Sequence, residues 1–397
     1  MLAGMALQPL SFGTNLVYAI QAAPGEKVKV FDKDKWFDNL SSAAVNEQNS
    51  KLYVVDIMSS ASSNGTASGS IIVLNSSTFD RISTIPEDYY PSDIVLNPVT
   101  GYFYVSHSCN CPQGKGLTVL DGSNDKKIKT IENIAGMTIF VNPLLNKIYA
   151  ANSSAVTIID GNSNQILATR SLEKSGDQER LLAFNPANNI IYGMDQNFAL
   201  ASWDIETGAN LYTTSALNIP LPDGALGNKV VHLNANPKTN IVYVMTMPIF
   251  PPPGPTQGAP IPSYYATAIN GTSGKILAAN LASGGGFWSS LVVNSERNIV
   301  FLYHGNSFEA IDGSTNQVVG QYFVDIGTNN IYFRKMIIHP ETNTLYLIAV
   351  NGIAFVPGSS IVPEFPISLI VLFVALSGLT TVQLLRRASI GPLSDAL

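Results

Sequence analysis

Along most of the chain, short apolar runs rich in β-branched and aromatic residues alternate with polar turns, and the alternation repeats. One version reads Asn142-Pro143-Leu144-Leu145-Asn146-Lys147-Ile148-Tyr149. An apolar run ends at an Asn, a turn follows, and an aromatic stands seven residues on. The pairs are Asn46 and Tyr53, Asn97 and Tyr104, Asn142 and Tyr149, Asn185 and Tyr192, Asn236 and Tyr243, and Asn294 and Phe301. In a seventh version His339 replaces the Asn ahead of Tyr346. Pro follows the anchor at Pro98, Pro143, Pro186, Pro237 and Pro340, which suits the first central position of a type I turn. Four residues after each anchor stand Ser50, Gly101, Asn146, Asn189, Asn240, Asn298 and Asn343. Asn and Gly tolerate the left-handed conformation that closes such a hairpin with a bulge.

A second signature lies downstream at Asn75-Ser76, Asp121-Gly122, Asp160-Gly161, Asp204-Ile205, Asn270-Gly271 and Asp312-Gly313. Asn164, Gly208, Gly274 and Asn316 follow four residues later, marking a second tight hairpin. Each unit therefore holds four strands, A to D. Strand A ends at the anchor, B carries the aromatic, C ends at the Asp-Gly, and D closes the unit. Seven such units predict an all-β, seven-bladed β-propeller over residues 27–357. A β-sandwich of many short strands does not repeat at this period. The seventh unit lacks a fourth strand, and Lys27-Val28-Lys29-Val30-Phe31 stands spare at the front. This N-terminal strand is expected to close the ring by completing the last blade, which removes a free sheet edge.

Asn-Pro-x-x-Asn-x-Ile-Tyr followed by Val-x-x-Ile-Asp-Gly-x-x-Asn resembles the YVTN-type (YncE-like) β-propeller repeat, and blade 3 carries it most completely. The resemblance implies an extracytoplasmic or surface protein with a binding role. It specifies the fold far more closely than the ligand.

The ends differ from the middle. Residues 1–22 are mostly apolar and lack the basic n-region of a secretory signal, so they read as a leader or a degenerate signal segment. Residues 367–385 contain no charge, and nineteen residues rise about 28 Å as a helix, close to the hydrocarbon thickness of a bilayer. Arg386 and Arg387 follow, so the expected arrangement is a transmembrane helix with residues 386–397 cytoplasmic and the propeller outside. The linker 358–366 contains Pro363-Glu364-Phe365, and with the span and the arginines it resembles the archaeal PEF-CTERM sorting tail. That resemblance implies a protein held at the cell surface.

Composition narrows the function classes. Charged residues make up 13%, the net charge is -6, and no basic cluster occurs, so nucleic acid is not an expected partner. The expected partners are the membrane, through the C-terminal helix, and an envelope protein or glycan; the propeller itself is expected to be monomeric. No haem-attachment, Walker, nucleophile-elbow or zincin motif is present. No cofactor is expected from the motifs, and the chain reads as a binding module rather than an enzyme.

Two sets of residues hold candidate chemistry. His107-Ser108-Cys109-Asn110-Cys111 places one imidazole and two thiols together, and copper or zinc would suit His107, Cys109 and Cys111. The same thiols read equally as a disulfide or as free cysteines. This loop, or the channel mouth, carries the alternative reading of a metal-dependent enzyme or redox protein. The residues just before each A strand, among them Ser41, Ser92, Asp93, Met137, Arg180, Trp288, Ser289 and Arg334, are expected to line the channel mouth. Of these, Asp93, Arg180, Trp288 and Arg334 are the ligand-binding candidates, suited to a small anion or saccharide. His232 and His339 read as hydrogen-bonded structural residues. Sequons mark Asn39, Asn64, Asn75, Asn152 and Asn270 as glycosylation candidates. Long connections at 56–70, 107–116 and 246–263 (B–C), and at 171–180, 213–228 and 282–289 (D–A), put the expected functional loops on one face.

Overall fold

In a computed structural model of the chain, the structure describes residues 39–358. Excepted are 58–68, 88–89, 108–115, 133, 135–137, 153, 173–180, 252–262, 282, 286–288, 305–306, 324–332 and 350–351. The architecture is a seven-bladed β-propeller. Blade 1 consists of Leu40–Asn46, Lys51–Asp56, Gly69–Asn75 and Arg81–Glu87, and blade 2 of Pro91–Asn97, Tyr102–His107, Gly116–Asp121 and Lys126–Glu132. Blade 3 comprises Thr138–Asn142, Lys147–Ala151, Ala155–Asp160 and Ile166–Ser171, and blade 4 Leu181–Asn185, Ile190–Met194, Leu200–Asp204 and Asn210–Thr213. Blade 5 has Gly227–Asn236, Ile241–Ile249, Ser263–Asn270 and an outer strand broken into Ile276–Ala278 and Ser283–Gly285. Blade 6 is Ser289–Asn294, Ile299–His304, Ser307–Asp312 and Gln317–Phe323. Blade 7 has Phe333–His339, Thr344–Ala349 and Gly352–Val356. All neighbouring strands within a blade are antiparallel.

The strand expected to complete blade 7, residues 27–31, lies outside the described residues, as do the leader and residues 367–385. No helix among the described residues is long and apolar enough to cross a membrane.

The core is divided among the junctions between blades. Among the described residues seven apolar clusters occur, and each straddles one pair of adjacent blades. The one at the seam joins Leu52, Val54, Ile72 and Phe79 of blade 1 to Tyr346, Ile348 and Ile353 of blade 7. This explains the B strands, which are buried almost throughout. Alternate side chains point to opposite sides of a sheet, and here both sides face another blade. D strands carry the exposed positions, as expected of an outer edge.

The turn chemistry follows the expectation. All seven positions four residues after the anchor have positive φ, including Ser50 at 53° and Asn146 at 49°. So do Asn164, Gly208, Gly274 and Asn316 in the second hairpin, with Phe79 and Asp125 in their place in blades 1 and 2. A register shift accompanies the C–D pairing of blades 1 to 6.

The anchor Asn and the aromatic do more than the turn requires. Asn236 Oδ1 accepts from Lys238 N–H (3.0 Å), while its Nδ2 donates to Asn298 Oδ1 of the next blade (2.7 Å). Asn97, Asn142, Asn185 and Asn294 make the same forward bond to Asn146, Asn189, Asn240 and Asn343. The buried tyrosines also reach forward. Tyr104 donates to Asn164 Oδ1 (2.6 Å), Tyr192 to Asn240 Oδ1 (2.8 Å) and Tyr243 to Asn316 Oδ1 (2.8 Å). Burial pushes these hydroxyls up from the ordinary tyrosine range, so they remain donors. At the seam, Tyr346 reaches Ser76 O (3.5 Å), and His339 Nδ1 stands 3.1 Å from Glu47 Oε1, where the five junctions from blade 2 to blade 7 bring two amides together.

Candidate functional site

The A strands surround a central channel of about 1030 Å³. In blades 1, 2, 5 and 7 the pairing of strand A with strand B slips by one residue near its start, skipping Ser41, Ser92, Val231 and Arg334. These bulges turn the strand. His232, Lys335 and Ser290, each four residues before its anchor, line the channel, and Ser42 and Asp93 hold the same position in blades 1 and 2.

These residues form a connected polar arc. Lys335 Nζ pairs with Asp93 Oδ1 and donates to Ser42 Oγ (2.8 Å). Ser42 Oγ in turn donates to Asp93 Oδ1 (2.6 Å). Ser290 Oγ accepts from Met336 N–H (3.0 Å). His232 Nε2–H donates to Ser289 O (2.6 Å), and burial, helped by the nearby Lys335 charge, holds the imidazole below its usual range. A neutral His, one ammonium, one carboxylate and two hydroxyls offer both donors and acceptors to a small polar ligand.

Of the expected ligand-binding residues, Asp93 joins the arc and Arg334 lines the channel with its Nη1 on Asn39 Oδ1 (2.8 Å). Arg180 and Trp288 lie outside the described residues. Lys335 and His232 were missing from the expected set; at the bulge of blade 7 both Arg334 and Lys335 line the channel. His232 is hydrogen-bonded, as expected, and in addition faces the channel. At the opposite mouth stand Glu47, Glu296 and Glu341. Burial raises the Glu47 carboxyl above its ordinary range; His339 opposes the shift, while Glu341 and Glu296 add to it.

His107 sits between blades 1 and 2, buried, with Nε2 at 3.4 Å from Glu87 Oε2 and 3.2 Å from Thr118 Oγ1. Cys109 and Cys111 lie outside the described residues. His304, ten residues after its anchor as His107 is after its own, stands 3.5 Å from Glu309 Oε2 at the junction of blades 5 and 6. Among the described residues, no group of three or more His, Cys, Asp or Glu side chains is placed to hold a metal.

Among the sequons, Asn75 and Asn270 cap C–D turns and Asn152 caps a B–C turn, each through its carboxamide oxygen. Asn39 meets Arg334, and Asn64 lies outside the described residues.

The two faces differ in build. A–B and C–D hairpins are short throughout and share one face. The other face carries the long connections, although two are shorter than expected in blade 5. There strand B runs on to Ile249 and strand A begins at Gly227, pairing Gly227 with Ile249 as a ribbon that stands beyond the other blades. Leu226 (70% exposed), Ile249 and Leu221 lie in the open around its tip. No protein-family model and no curated protein matches the chain.

Proposed function

We propose that the protein is a surface-anchored, extracytoplasmic propeller of the YVTN type that acts as an interaction module through its long-loop face. The observation that carries this reading is the contrast between the faces. Repeated turn chemistry occupies one, while the other gathers the long connections, the polar arc at the channel mouth and the exposed apolar ribbon tip. Rigid scaffolds present recognition residues on such loops. The anchor reading rests on the uncharged stretch 367–385, the arginines after it and the PEF-CTERM-like tripeptide before it. The sequons would then face a compartment where glycans can be added.

The test uses the full chain and envelope extracts. Replacing residues 58–68, 108–115 and 252–262 by short turns should abolish retention of the envelope protein or glycan that the parent holds. Retention unchanged in all three variants would sink the reading. Stoichiometric copper or zinc in the purified protein, lost on Cys109→Ser and Cys111→Ser, would favour the metal-dependent alternative. A chain stopped at Ser360 should leave the membrane fraction.

A further inference from the structure

The last described strand fixes where the chain leaves the propeller. Gly352–Val356 runs antiparallel to Thr344–Ala349, so Val356 pairs with Leu345 at the end of the blade where the A–B turn lies. Gly358 then packs against that turn so closely that a Cβ would fall 1.7 Å from Thr342 O. The chain therefore exits on the tight-turn face. Eight residues, 359–366, separate Gly358 from the uncharged stretch, and eight extended residues span at most about 28 Å.

That face also carries an apolar patch. The A–B turns of blades 2 and 3 expose Val99 (55%), Leu144 (77%) and Leu145 (49%), beside Pro98 and Pro143. Leu144 is the most exposed large hydrophobic side chain among the described residues. The C–D turns around it present Ser, Thr and Asn: Ser77 and Thr78, Ser123 and Asn124, Asn162 and Ser163. Single exposed apolar residues are ordinary, but three on adjacent turns make a patch with a polar surround. The same face holds Glu47, Glu296 and Glu341 at the axial mouth with Lys238 and Arg297 in the turns beside them, a mixture of both signs that suits a zwitterionic surface.

We infer that the tight-turn face lies against the membrane, with Val99, Leu144 and Leu145 touching a zwitterionic lipid surface and the long-loop face turned outward. The inference rests on the anchor reading above. A short tether holds the patch near the bilayer at high effective concentration, so a few aliphatic contacts suffice to set orientation.

The experiment uses the full chain in phosphatidylcholine vesicles, with brominated phosphatidylcholine as the quencher. Leu144→Trp places a reporter on the tight-turn face, and Leu226→Trp places one on the long-loop face. The parent supplies the background of Trp36, Trp203 and Trp288. The expected result is a loss of the added signal in Leu144→Trp and no loss in Leu226→Trp. Loss in Leu226→Trp alone, or in neither while the protein floats with the vesicles, overturns the orientation and leaves the anchor standing. Failure to float overturns the anchor, and the orientation with it. Shielding of Leu144→Trp from acrylamide that grows with protein concentration, and not with lipid, assigns the patch to a second copy and overturns the proposal.

Discussion

Gly161→Ala isolates the reason for the glycine of the Asp-Gly turn. Gly161 is not in the left-handed region, so alanine carries no backbone strain there. Its N–H donates to Asn146 O at 2.9 Å. A Cβ would fall 2.3 Å from Asn146 Oδ1, 2.7 Å from Asn146 O and 2.7 Å from Asn97 Nδ2. Asn146 Oδ1 and Asn97 Nδ2 are already joined at 2.7 Å, so neither yields without breaking the bond between blades 2 and 3. Loss of two hydrogen bonds at about 1 kcal/mol each, with an overpacking cost of about 1–3 kcal/mol, gives a destabilisation of about 3–5 kcal/mol. Gly101→Ala is the contrast. Gly101 has φ 72°, and nothing lies within 4 Å of its added Cβ, so only left-handed strain of about 1–2 kcal/mol applies. Guanidinium unfolding of the full chain in detergent, followed by circular dichroism, should rank the midpoints parent, Gly101→Ala, then Gly161→Ala. The reasoning fails if Gly161→Ala unfolds with or above Gly101→Ala, because turn conformation rather than close approach would then set the requirement.

Two further outcomes are expected. Gly101→Asn supplies the carboxamide present at this position in five other blades and offers Asn46 a partner across the junction of blades 1 and 2. It should add about 0.5–1.5 kcal/mol of stability, seen as a higher unfolding midpoint, and a lower midpoint would refute the pairing. His232 has a folded pKa below its ordinary 6.5, so its contribution is present above about pH 6.5 and is lost as the pH falls toward the folded value. Acidification from neutrality should therefore lower the midpoint more in the parent than in His232→Gln; equal losses would refute the assignment.

Much of the scaffold was legible because it is local. The spacing from Asn142 to Tyr149 and the left-handed position at Asn146 lie within one hairpin, and seven copies display them. The bonds that join the blades were not legible. Asn236 reaches Asn298, and Tyr243 reaches Asn316, across intervals that no short pattern spans. The channel mouth was half legible. Alignment of the units brought out Arg334, which lines the channel, and Asp93, which pairs with Lys335, but not Lys335 and His232, which line it beside the one-residue bulges. The His107–Glu87 pair was invisible for a similar reason, since Glu87 arrives from the outer strand of the preceding blade.

The anchor-amide bonds of blades 2 to 6 and the bonds of Tyr104 and Tyr243 point the same way, from one unit to the turn of the next. A whole unit is therefore an interchangeable part with a plug at one side and a socket at the other. Deleting or duplicating one complete unit among blades 3 to 6 leaves each anchor amide facing an Asn of the next turn. Ring size is then limited by how the last and first units meet. That seam is where His339 and Glu47 stand in for two asparagines, so a shuffled ring would have its fit tested there first.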